Sequence, residues 1–91
     1  MSLNKNSVSY IAFAIRDVKA DAFNLPFFQT TRASAIRNFA DLSSDPQSTI
    51  ARHPEDFQLY EIGSYDSGNA YFTSLELPIL LASATEFNSQ Q

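Results

Sequence analysis

Between Val8 and Arg16 the chain alternates: Ile11, Phe13 and Ile15 fall on one side of an extended backbone, Tyr10, Ala12 and Ala14 on the other. β-branched and aromatic residues at period two predict a strand. Its second side is apolar too, which places it centrally in a sheet or against a partner. From Asp17 to Thr30 the period is lost around Asn24 and Pro26, and this stretch reads as a long loop, the kind of connection that tends to carry function. Thr30 or Thr31 then caps a helix running to about Leu42, with Ala33, Ile36, Phe39 and Ala40 at three- and four-residue spacing and Arg32 and Arg37 off that stripe. Asp45-Pro46 is a second start signal, and the short helix it predicts over Gln47–Arg52 must stop before Pro54.

Phe57–Tyr65 and Ala70–Glu76 read as two strands joined by Asp66-Ser67-Gly68-Asn69, where Gly and Asn suit the backbone angles of a tight turn. Pro78 ends that hairpin or marks a sheet edge. Ile79 to Phe87 is apolar enough for either a further strand or a short helix. The pattern as a whole predicts an α+β fold, a small antiparallel sheet with one main helix and one short helix packed on it. One domain covers residues 1–91, with polar tails at 1–6 and 88–91.

Composition sharpens this picture. Eight Phe and four Tyr are a heavy aromatic complement for 91 residues, more apolar surface than one small core hides, so a homo-oligomer is expected. There is no cysteine and a single histidine, which leaves no basis for a disulfide, a thiolate metal site or a His-rich one, and no cofactor is expected. No stretch approaches the ~20 apolar residues of a membrane span, and Met1–Lys5 lacks the apolar run of a signal peptide. The expectation is a protein of its host's cytoplasm. The net charge is −4, unevenly placed: Lys5, Arg16, Lys19, Arg32 and Arg37 precede Asn38, and Arg52 alone among the bases follows it. An anion-binding side and an anion-repelling side follow from that asymmetry.

The candidate site is basic and aromatic. Arg16, Lys19, Phe23, Phe27 and Phe28 crowd the early loop, and Arg32 and Arg37 sit on the exposed side of the main helix. Either Phe27 and Phe28 stack unpaired bases while Arg16, Lys19, Arg32 and Arg37 hold phosphates, or the rings fold into the core and the cations are merely solvated. Four phosphate contacts would give a salt slope of only about −2.8 on single-stranded DNA, so useful affinity needs several copies acting together. Tyr60, Tyr65, Tyr71 and Phe72 on the hairpin serve as cross-strand pairs or as an oligomer interface. His53-Pro54-Glu55-Asp56 places a histidine beside carboxylates, but no nucleophile accompanies it, and it reads as a proline-bounded turn. The expectation is binding, not catalysis.

Ile15-Arg16-Asp17-Val18-Lys19-Ala20 with Ala22-Phe23, Pro26-Phe27 and Ala35-Ile36-Arg37-Asn38-Phe39, followed by His53-Pro54-Glu55-Asp56-Phe57, Leu59-Tyr60, Ile62-Gly63 and Leu80-Leu81-Ala82-Ser83, form an ordered series across residues 10–87. This series resembles the small nonstructural DNA-binding proteins of gokushovirus-type microviruses, phages with single-stranded DNA genomes. The family's early loop is often richer in glycine, where this chain has Asp21 and Asn24-Leu25. The resemblance implies a nonstructural protein that binds single-stranded viral DNA or the replication complex and helps switch synthesis to single-strand genomes and their packaging. A protein-protein adaptor on the replication or procapsid machinery, which never touches DNA, is the alternative, and the overall negative charge favours it.

Overall fold

A computed structural model describes residues 7–88. The strands are β1 (Ser9–Asp17), β2 (Ala22–Phe23), β3 (Phe27–Gln29), β4 (Phe57–Asp66) and β5 (Tyr71–Ser83); the helices are α1 (Arg32–Ser44) and α2 (Thr49–Arg52), with single 3-10 turns at Pro54–Asp56 and Ala84–Glu86. The strands form one antiparallel sheet ordered β2-β1-β4-β5, with β3 also on β1, beside β2. The α+β architecture read from the pattern is therefore the one the chain adopts.

β1 is the spine of the sheet. Ile11, Phe13 and Ile15 point to the side of α1, where Phe13 and Leu59 are fully enclosed with Ala35 and Phe39. Phe57, Ile50, Ala82 and Ala84 close this core. On the helix, burial follows Ala35, Phe39 and Ser43, a strict four-residue repeat, while Ala33 is exposed. The buried Ser43 hydroxyl donates back to the Phe39 carbonyl at 2.7 Å, so it takes an interior position without an unmet hydrogen bond. Thr31 caps α1, its Oγ1 accepting from the Ser34 amide at 3.1 Å.

Four boundaries differ from the pattern reading, each for a local reason. Asp17–Thr30 is not a free loop: a turn with Asp21 at φ 57° sends the chain back, and β2 and β3 take the open edge of β1. Ser48, not Asp45, caps α2 by accepting from the Ala51 amide; Asp45 ends α1 and its carboxylate accepts from the Gln47 amide. Pro78 does not end the last strand. Between Glu61↔Ile79 and Gly63↔Ser74 the chain swings Leu75–Pro78 outward opposite Ile62, so proline sits where no ladder amide is needed, and β5 resumes to Ser83. Asn88 is no tail: its side-chain amide donates to the Ser43 and Ala51 carbonyls at 3.0 Å each. The other tail residues, 1–6 and 89–91, lie outside the described residues.

Register sets which rings face which way. Phe27 lies opposite Phe13 and stacks on it at 5.6 Å, whereas Phe28 lies opposite Ala12 on the far side of the sheet. Truncating Phe27 to Ala should therefore cost about 2–3 kcal/mol of stability, and Phe28 to Ala about 1 kcal/mol or less. Urea titration of both variants measures this, and equal losses would contradict the assigned facing. Gly63 is a second sensitive point, because an added Cβ would meet the Thr73 carbonyl and, at 3.1 Å, the Phe72 ring. Gly63→Ala should destabilise by about 1–3 kcal/mol in the same titration.

Candidate functional site

The side of the sheet away from α1 is built by the same alternation that builds the core. Ala12 and Ala14 of β1 and Gly63 of β4 lie in register along its floor. Small residues there let larger neighbours lean inward, and six rings do so. Phe23, opposite Arg16, meets Tyr60 edge-on at 5.3 Å. Phe28 meets Tyr65 at 5.9 Å and the edge of Phe72 at 6.2 Å. Tyr10 pairs with Tyr65 across the strands, and Tyr10, Phe28 and Tyr65 line an apolar cavity of about 250 Å³.

These rings shield Ala12 and Ala14 completely or nearly so, yet they keep faces in solvent: Phe23 is 41% exposed, Phe28 42% and Phe72 45%. Exposed phenyl rings in a row on one sheet face are costly to leave in water, at about 25 cal/mol per Å². They can receive flat, weakly hydrated groups, which nucleobases and aromatic or proline side chains both are. The cation of this face among the described residues is Arg16. Its guanidinium lies 5.4 Å from the Phe23 ring centroid and pairs with the carboxylate of Asp21, whose side chain is 84% exposed.

The other expected contacts go elsewhere. Phe27 packs against the core with Phe13, so it does not offer a free face. Arg32 opens α1, on the opposite side of the sheet, and its Nε donates to the Glu61 carboxylate at 2.6 Å. Arg37 is exposed midway along α1. Lys19 stands in the β1–β2 turn and, with Asp17, Thr49, His53 and Asp56, lines a cleft of about 300 Å³. Of the six residues expected to act together, then, Arg16 and Phe28 share a face and the other four do not. Phe72, Tyr65, Tyr60 and Tyr10 complete that face from strands read as sheet pairing. Their shared facing could be found in the sequence only with the strand register in hand.

His53, Glu55 and Asp56 place one ligand atom each within 4.8 Å of the others, at a surface turn where His53 and Glu55 are exposed. Backbone bonds account for the turn: the His53 amide donates to the Thr49 carbonyl and the Asp56 amide to that of His53. No helix among the described residues is long and apolar enough to cross a membrane.

No curated protein and no solved structure is significantly similar to the chain. The family model described as phage ORF5 protein matches residues 10–87, from the start of β1 to the end of the last turn. The series of short segments, the strands they form and this match coincide over nearly the whole chain, which belongs to the phage ORF5 protein family.

Proposed function

We propose that the aromatic face opposite α1 binds single-stranded DNA by stacking. The protein is then a non-enzymatic nonstructural protein of a single-stranded DNA phage that assists single-strand genome synthesis and packaging. The observation that carries this reading is the row of half-exposed Phe23, Phe28 and Phe72 on one sheet face, with Arg16 at its end. A base stacked on a protein ring is worth about 1–3 kcal/mol by alanine substitution, and any base has a suitable face. One phosphate held by Arg16 adds a salt slope of only about −0.7. Stacking thus outweighs phosphate contact, which is how a chain of net charge −4 can hold a polyanion. Duplex DNA offers no unstacked bases and is not a ligand on this reading.

A second reading has its own observation. Arg32 is tied to Glu61, and Arg37 and Lys19 stand away from the rings, so among the described residues no phosphate-binding track accompanies the aromatic face. A protein adaptor, docking an aromatic or proline-rich segment on the same rings, needs no such track.

Fluorescence anisotropy with a labelled thymidine oligomer and a matched duplex separates the two. Phe28→Ala and Phe72→Ala should each weaken single-strand binding roughly 5- to 150-fold, with a shallow salt dependence of slope about −0.7. Arg37→Glu, on the other side of the molecule, should leave it unchanged. No binding at low salt would reject the DNA reading and leave the adaptor, and loss in Arg37→Glu equal to that in Phe28→Ala would reject the aromatic face as the binding surface. Asp21→Asn tests the arginine. Asn tolerates the positive φ of that position, and freeing Arg16 should tighten low-salt binding up to about fivefold.

A further inference from the structure

Among the described residues β5 is a free edge of the sheet and the longest strand, and its surface is unusual for an edge. Natural edges are guarded by charged side chains, lysine above all, but Glu76 is the one charged residue between Tyr71 and Ser83. Leu77 is 77% exposed, Tyr71 70%, Leu80 51% and Ile79 40%. The molecule is also drawn out along the hairpin, 51 × 23 × 17 Å with a radius of gyration of 14.5 Å. A compact chain of this length has about 12 Å.

We propose that a second copy of this chain covers the free side of β5, the two meeting about a two-fold axis at the Leu75–Pro78 excursion. The area fits this occupant. Tyr71 and Ile79 on the α1 side of this edge, Leu80 on its ring side and Leu77 at the excursion between them present in sum roughly 350 Å² of apolar surface, taking ~200 Å² for a tyrosine and less for an aliphatic side chain. A standard interface takes about 800 Å² from each partner, a little over half of it apolar, so these side chains supply most of the apolar share. A two-fold contact asks only that one patch match itself, and an antiparallel approach of one strand to its copy does so by symmetry. Single-stranded DNA is a poor occupant, since β5 has no cation and carries Glu76. The contact runs through side chains: Pro78 lacks an amide and Leu75–Pro78 leaves the ladder, so no unbroken backbone pairing can cross this region.

The chain contains no cysteine, which permits a direct test without nucleic acid. Leu77→Cys should give a covalent dimer on mild oxidation, and Leu25→Cys, 89% exposed but distant along the sheet order from β5, should not. Sedimentation equilibrium of the unaltered chain from micromolar to sub-millimolar concentration should rise to twice 10.1 kDa, and Tyr71→Asp/Leu77→Asp should stay at 10.1 kDa with unchanged far-ultraviolet circular dichroism. An unaltered chain at monomer mass throughout, gain of mass only with added oligonucleotide, or equal cross-linking of both cysteine variants would overturn the proposal. The Phe28→Ala arm of the stacking test is independent of this one, because Phe28 lies on β3, at the other end of the strand order from β5, whereas Phe72 adjoins Tyr71 on β5 itself.

Discussion

The structure depends on β1 being covered on both faces. A strand with Phe13 and Ile15 on one side and Ala12 and Ala14 on the other, each at most 8% exposed, has no face left for water. Large residues on the first side demand a thick cover, and α1 supplies it with Ala35 and Phe39. Small residues on the second side demand a shallow one, and aromatic rings leaning from β2, β3 and β4 supply it. The rings are therefore structural first; their outward faces remain available, and that availability is what the proposed function uses.

Charge follows from the same arrangement. Cations close in sequence are dispersed because a strand, a turn and a helix carry them in different directions. Arg16 follows the alternation of β1 to the ring side, whereas Arg32 starts a helix packed on the other side and meets Glu61 there. With the Arg32 side chain 55% exposed, this pair contributes on the order of 1 kcal/mol. Surface charge thus gives little guidance to where a polyanion would lie, and the exposed rings give more.

The sequence made some of this legible and hid the rest. Ile11, Phe13 and Ile15 announced β1, the pair Thr30-Thr31 announced the start of α1, and Asp66–Asn69 announced the hairpin turn, because each is a local signal with a local cause. The partners of β1 were hidden. Ala22–Phe23 and Phe27–Gln29 are too short to show a period, and only the open edge of β1 makes them strands. The opposite facing of Phe27 and Phe28 follows from their adjacency in a strand, but only once that segment is known to be one. The run from Ile79 to Ser83 was hidden most deeply. Its pairing with Gln58–Glu61 depends on two irregularities in the β4–β5 register, and neither leaves a mark in composition or spacing.

Those irregularities also bear on how an unguarded edge is kept from growing without limit. A flat β5 with five exposed apolar side chains would template strand after strand, since each added copy would present a new edge. The Leu75–Pro78 excursion interrupts the backbone row while pushing Leu77 outward, so it withdraws hydrogen bonding and offers side-chain contact at the same place. Side-chain contact about a two-fold axis consumes the patch on both copies and closes at two. On the proposed two-fold contact, the proline that looked like the end of a strand is the feature that separates finite association from open-ended sheet growth.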